Sequence, residues 1–293
     1  MPTEVKKEVR QFYDQVGWSL VGDDLYQNAR YEDLRPVSSE YIHRCHQRVK
    51  RHLAPVGRYL LDAGSGPIQY PEYLEYSNGY QYRVCADISI TALKEARKRI
   101  GDHGLFVVSD VANLPFKSDA FDGIVSLHTI HHLPEDEHEQ AYAGIHRTLA
   151  AGKTAVVVNG WPSSQFMARF EPLIRLSNRI RNLARRLNFR QKANSQSGGN
   201  QPKKTRARPS DDAQPKGTFT NRHDVAWIKN VIGAQMPVEI LVWRSASVRF
   251  MRAVIFPWLG GRFWLRLLYW LEERNPHYYG ENGQYPLIVI RKS

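Results

Sequence analysis

Between residues 58 and 159 the chain alternates short apolar runs with longer stretches whose apolar positions recur every three to four residues. The short runs at 59–62, 82–87, 105–109, 121–127 and 154–159 predict strands, and the stretches at 69–75, 88–100 and 135–150 predict the helices between them. Such alternation implies a doubly wound, mostly parallel sheet covered by helices on both faces. Right-handed crossovers then bring the carboxyl ends of the strands to one edge, the edge where open α/β sheets bind ligands.

The flanks read differently. Residues 3–53 predict two or three helices, with Val5, Val9, Phe12 and Val16 at helical spacing, a break at Pro36, and a second helix to Leu53 capped by Ser38 or Ser39. After 159 the alternation stops. Residues 163–188 predict a helix with Phe166, Phe170, Leu173, Ile174, Ile180, Leu183 and Leu187 on one side and Arg175, Arg179 and Arg186 elsewhere. Residues 190–217 carry almost no apolar side chains, a composition that predicts disorder. Asn221 is expected to cap a helix running to Ile232, and 238–242 and 286–290 predict two closing strands. The expected organisation is an N-terminal helical cap at 1–56 and one α/β domain at 57–293. Two insertions interrupt that domain, at 161–219 and 249–284.

Composition refines this picture. With 293 residues, 42% of them hydrophobic, the chain can bury a large core. Two cysteines, Cys45 and Cys85, argue against a disulfide scaffold and fit a reducing, cytoplasmic setting. Residues 1–10 are charged and lack the apolar centre of a signal peptide, and no run reaches the eighteen uninterrupted apolar residues that a membrane span needs. The net charge of +12 is concentrated: residues 163–216 hold thirteen lysines and arginines against three acids. The basicity belongs to a segment and not to the fold.

The candidate chemistry lies at the predicted strand ends. Asp62-Ala63-Gly64-Ser65-Gly66 follows the first strand, and its glycines permit a sharp turn and a close approach by a ligand. The third small residue of a dinucleotide fingerprint is missing, because Gln69 stands there. Asp62, Asp87 and Asp110 end consecutive strands 25 and 23 residues apart. A carboxylate ending the second strand can accept both hydroxyls of a ribose, with Ile88 offering an apolar face to a base, while Asp110 and the Val111 main chain can hold a base edge. The competing reading is that each aspartate only caps the turn that follows it.

The sequences 61–66, 85–89, 109–116 and 121–133 together resemble the successive motifs of class I S-adenosylmethionine-dependent methyltransferases, in the small-molecule branch that includes the ubiquinone/menaquinone-type enzymes. The resemblance is strong over 58–160 and weaker over 220–247 and 284–291. It implies a seven-stranded Rossmann-like sheet with an antiparallel last strand and S-adenosyl-L-methionine as cofactor. It also implies that Asp62, Gly64 and Gly66 cradle the methionine part, that Asp87 and Ile88 hold the adenosine, and that Asp110 and Val111 read the adenine edge. Ser126 and Leu127 would line the methionine end, and Tyr13 would close over the cofactor. Ile68 stands where the family often has a third glycine. No Asn/Asp-Pro-Pro-aromatic motif follows the fourth strand, which speaks against amino methylation of nucleic-acid bases.

His128, His131 and His132 follow the fourth strand and are the candidate catalytic residues, as bases toward an acceptor hydroxyl; packing is the competing role, and no metal site is expected. The aromatic-basic stretch 249–274 and the basic helix suggest a lipid-facing lid, an apolar or lipid-like acceptor, and contact with an anionic membrane surface. A specific nucleic-acid partner is not expected, since no recognition module is visible. A different class of function, a non-catalytic adaptor binding membrane or RNA through the basic segment, is the alternative.

Overall fold

The computed structural model describes residues 4–18, 26–195 and 218–293, without the side chains of Arg30 and 185–195. Disorder was expected over 190–217; residues 190–195 are instead helical, and 196–217 lie outside the described residues. The elements in chain order are α1 (Glu4–Phe12, continued by a π-turn at Tyr13–Gly17), α2 (Ser39–Gln47), β1 (Gly57–Ala63), α3 (Pro71–Leu74), β2 (Tyr80–Asp87), α4 (Ile90–Ile100), β3 (Gly104–Val108) and β4 (Gly123–Leu127). They continue with α5 (His138–Thr148), β5 (Thr154–Val158), α6 (Gln165–Ala168), α7 (Glu171–Ser195), α8 (Val225–Trp227), β6 (Val238–Arg244), α9 (Val248–Val254), α10 (Gly261–Arg274), α11 (Pro276–Asn282) and β7 (Tyr285–Arg291).

The seven strands form one sheet in the order β3-β2-β1-β4-β5-β7-β6. β1 pairs in parallel with β2 and β4, and β7 runs antiparallel to both of its neighbours, β5 and β6. The expected sheet is therefore present, antiparallel strand included. The order reverses between β1 and β4, and the carboxyl ends of those two strands part around a crevice there.

The strand sequences explain their burial. Parallel strands covered on both faces carry continuous apolar runs, as in Thr154-Ala-Val-Val-Val of β5. Successive side chains go to opposite faces. Leu61, Ile124, Ala155 and Val157 pack under α5 with Ala141 and Ile145. Leu60, Val125, Val156 and Val158 pack on the other face, with Leu93 and Ala96 of α4. Each such side chain contributes about 1.5–3 kcal/mol of burial.

A third apolar cluster joins the N-terminal cap to the later insertions: Tyr41, Ile42 and Cys45 of α2 meet Met167, Ile174, Phe250, Leu265 and Tyr269. A buried carboxylate fixes this unit. Glu272, fully buried, accepts from Tyr41 Oη at 2.6 Å and from the Ser245 amide and Arg48 Nη1, each at 2.9 Å. Residues 249–274 thus dock on α2 through a core of their own.

Two expected caps differ in detail. Asp224 accepts from the Trp227 amide at 2.9 Å and caps α8, whereas Asn221 donates its side-chain amide to Glu135. An aspartate three residues ahead of the amide it accepts from has the N-cap geometry that Asn221 lacks. Ser38 occupies the N-cap position of α2 but donates its hydroxyl to Asp33 at 2.6 Å.

Candidate active site

A cavity of about 520 Å³ opens at the carboxyl edge of the sheet, within the range of small-molecule sites. Its floor is the turn after β1. Gly64 and Gly66 have φ of +78° and +54°, and a Cβ on Gly64 would lie 2.2 Å from Cγ2 of Thr129. Only glycine fits there, so the backbone of the turn is bare toward the cavity. Ile68, buried behind the turn, also has a positive φ, +56°, which is unfavourable for a β-branched residue. Arg99 donates to its carbonyl at 2.9 Å and holds it there.

Asp87, the last residue of β2, lines the cavity. Its Oδ2 accepts from the Gly66 amide at 2.9 Å and its Oδ1 from the Ser89 amide at 2.8 Å. No cation pairs with it among the described residues. Burial, only partly offset by those two amides, pushes its carboxyl up to about 6. A buried carboxylate with spare lone pairs facing a cavity suits neutral donors such as sugar hydroxyls.

The other two strand-end aspartates sit elsewhere. Asp62 is buried and turned to Arg83, whose Nε donates to it at 3.1 Å. Asp110 pairs with Lys6 of α1 and accepts from the Ala112 amide at 3.0 Å, so it caps the following turn and anchors α1. Neither lines the cavity, nor do Val111, which is packed in the core, and Ser126, whose hydroxyl donates to the Ala63 carbonyl at 2.9 Å. The cavity does bring together Tyr13, Gly64, Gly66, Asp87, Ile88, Leu127, His128, His131 and His132.

α1 and its π-turn close over the glycine turn. Trp18 stacks on Tyr13 with centroids 4.8 Å apart and rests on Gly66. Tyr13 Oη and His132 Nε2 are 2.8 Å apart, and His132 Nδ1 is 2.8 Å from the Phe219 carbonyl. A carbonyl only accepts, so Nδ1 carries the proton and Nε2 accepts from the tyrosine. Burial lowers the His132 ring to about 4, which keeps it neutral for this role.

His128 is held at φ +57°, its amide donating to the Val158 carbonyl at 2.7 Å. Its ring lies edge-on to Trp243 and Tyr285, 5.1 and 5.6 Å between centroids. Burial, then the positive charge of Arg244 and other nearby cations, pushes it down to about 3. His131 is lowered well below the ordinary imidazole value, again chiefly by burial, with Nδ1 3.1 Å from Asn159 Oδ1. All three rings are therefore neutral hydrogen-bonding groups at ordinary pH.

Sequence reasoning missed the far wall of the cavity, formed by Tyr31, Tyr70, Tyr73, Trp243, Tyr285 and the pair Glu32–Arg244. These come from four separate stretches without a shared motif. None of residues 249–274, the expected lid, lines it.

Residues 61–157 match a family model described as a methyltransferase domain. Methyltransferase GfsG of Streptomyces halstedii is 26% identical over 157 residues, 50% of this chain and 55% of that protein. The chain thus matches only about half the length of this curated relative. Among solved structures, the DhpI complex with S-adenosylhomocysteine shares 10% identity over 100% of this chain and 99% of its own, with a TM-score of 0.55. Geranyl diphosphate C-methyltransferase of Streptomyces coelicolor A3(2) shares 13% over 99% of each chain, with a TM-score of 0.53. The [4+2]-cyclase SpnF shares 14% over 99% of this chain and 96% of its own, with a TM-score of 0.53. Residues 61–157 thus carry a methyltransferase domain, and the seven-stranded sheet with its antiparallel β7 is the Rossmann-like fold shared with these structures.

Proposed function

We propose that this protein transfers a methyl group from S-adenosylmethionine to a small, largely apolar acceptor. The observation that carries the proposal is Asp87, a buried carboxylate without a cation at the switch point of the sheet, beside a turn bare of side chains. Bound there, the cofactor would supply an electrophilic methyl on a sulfonium. This chain's residues do the rest. Asp87 would accept from the ribose, Ile88 would flank the base, and Gly64 and Gly66 would leave room for the methionine part. Tyr13 and Trp18 would exclude water from above. Asp62 and Asp110 would act indirectly, by stiffening β1 and anchoring α1.

For the acceptor, His128 and His131 are orienting groups more than strong bases. A ring whose basicity is this depressed accepts a hydrogen bond from a hydroxyl but takes its proton poorly. Alignment of acceptor and methyl is then the larger contribution, worth up to about 7–11 kcal/mol in well-oriented reactions. The positive φ of His128 supports a functional role, since such strain persists where surrounding structure enforces it.

A fold alone does not fix chemistry, and one protein of similar fold, SpnF, is a cyclase. Two measurements test the proposal. Calorimetry should show S-adenosylhomocysteine binding that Asp87→Ala weakens strongly, and a mass-spectrometric screen should find a metabolite that gains one methyl group. A protein that binds no S-adenosylhomocysteine would favour the adaptor reading, which the cavity and its residues otherwise disfavour.

A peripheral membrane role has one observation behind it. Trp258, Phe263, Trp264 and Trp270 are half or more exposed, beside Arg262 and Arg274. Near an anionic surface each basic residue adds about 1 kcal/mol. Among the described residues no helix is long and apolar enough to cross a membrane. Flotation with anionic vesicles tests the idea; protein left at the bottom of the gradient ends it.

A further inference from the structure

Arg244 ends β6 and is 2% exposed, yet it borders the cavity. Its guanidinium lies 4.7 Å from the Tyr285 ring centroid and 5.1 Å from that of Trp243. Glu32 Oε1 pairs with Nη1 at 2.6 Å, while Nε finds no hydrogen-bond partner among the described residues. Buried donors without acceptors are costly, and a guanidinium presents a planar fork made for an oxyanion. A second arginine, Arg222, borders the same cavity and has no ion-pair partner among the described residues. Both arginines are close enough to His128 to depress its basicity.

Among the described residues the charges facing this half of the cavity are Glu32, Arg244 and Arg222, with the three histidines neutral, so among them one positive charge is left over. Asp87 lies on the other half, at the end of β2. Beside Arg244 the wall is aromatic, formed by Trp243 and Tyr285, and Tyr70 lines the same cavity. We infer that the methyl acceptor carries an anionic group, carboxylate or phosphate, seated on Arg244 and Arg222, with an apolar body against Trp243, Tyr285 and Tyr70. This rests on the methyltransferase reading and specifies its substrate class. It gives the acceptor a fixed end, so that its reactive atom is presented to the methyl from the His128 side.

The test uses full-length protein saturated with S-adenosylhomocysteine. Benzoate and benzamide, which differ in charge but little in shape, are the probes, titrated by ligand-observed NMR. Benzoate should bind at least about tenfold more tightly. Arg244→Gln and Arg222→Gln should each weaken benzoate while leaving benzamide unchanged. Because Arg244→Gln strands a buried Glu32, the double variant Glu32→Gln/Arg244→Gln is measured beside it, and Arg222, being exposed, provides a variant that leaves the core intact. Equal binding of the two probes, no benzoate binding at millimolar concentration, or a preference that survives both substitutions would overturn the inference. The affinities for S-adenosylhomocysteine and for 5′-methylthioadenosine, which lacks the amino-acid part, complete the set. If Arg244→Gln weakened the first and spared the second, the arginine would hold the cofactor's own carboxylate and the acceptor claim would fall. Wild-type protein that bound neither would sink the methyltransferase reading itself, a result distinct from either of these.

Discussion

Asp87→Asn should stabilise the ligand-free protein and cripple cofactor binding. Burial raises the Asp87 carboxyl from 3.8 to about 6. Two units at 1.36 kcal/mol each make the charged form cost the folded state about 3 kcal/mol at neutral pH. Asparagine removes the charge but keeps one acceptor oxygen for two amide donors, those of Gly66 and Ser89. The lost hydrogen bond returns about 1 kcal/mol or somewhat more. The variant should therefore be more stable than wild type by about 1–2 kcal/mol near pH 7. The sign follows from proton binding. Between pH 3.8 and about 6 the folded wild type holds a proton that the unfolded chain has released, so wild-type stability falls as pH rises through that window and then levels off. The variant lacks this fall, and its advantage should disappear near pH 4.

Cofactor affinity should move the other way. The carboxylate, not the acid, accepts from the ribose at full strength, so wild-type affinity for S-adenosylhomocysteine should rise as pH passes about 6. Losing the charge from two hydrogen bonds worth about 1.5–3 kcal/mol each should cost the variant about 100-fold or more and flatten its pH profile. Denaturant melts without ligand at pH 4 to 8, with calorimetry over the same range, read both effects. A variant less stable than wild type at neutral pH, with its cofactor affinity intact, would refute the assignment.

Arg83→Met should cost about 3–5 kcal/mol in a denaturant melt, because it strands the Asp62 carboxylate among buried groups, and Arg83→Met/Asp62→Leu should recover most of that. If Asp62 touched the cofactor instead, the double variant would fold but lose S-adenosylhomocysteine binding. Gly64→Ala places a methyl 2.2 Å from Thr129 in a left-handed backbone and should lower stability by about 2 kcal/mol or more, seen as a drop in Tm. His128→Asn suits the left-handed backbone at that position, so its Tm should hold while turnover on the true acceptor falls about 10²-fold through lost alignment.

The sheet was legible because buried parallel strands write themselves as apolar runs of fixed length, and the turn after β1 because only glycine tolerates its geometry. The ranges predicted for the strands fall within two residues of those observed, and the misplaced cap at Asn221 reflects a choice between two polar residues three apart. The domain organisation was harder to read. Residues 249–274 have the composition of a surface lid, but Tyr41 and Arg48 converge on Glu272, and contacts separated by more than 200 residues along the chain leave no local mark.

The three strand-end aspartates show why site residues resist sequence reading even where the motif is right. Each follows an apolar run and precedes a turn, so locally they are alike. What separates them is where a cation falls. Asp62 pairs in register with Cys85, which puts Arg83, two residues before it, within diagonal reach. Asp110 meets Lys6, 104 residues earlier in the chain. Asp87, among the described residues, meets main-chain amides and no cation. A carboxylate already neutralised by a neighbour has little left to offer a ligand, and one that is desolvated and unpaired gains most from a partner that enters the cavity. The same reasoning singles out Arg244, whose Nη1 pairs with Glu32 while its buried Nε stays without an acceptor among the described residues. Buried charges that are short of partners and border the cavity mark its two ends, one suited to a sugar and the other to an acid.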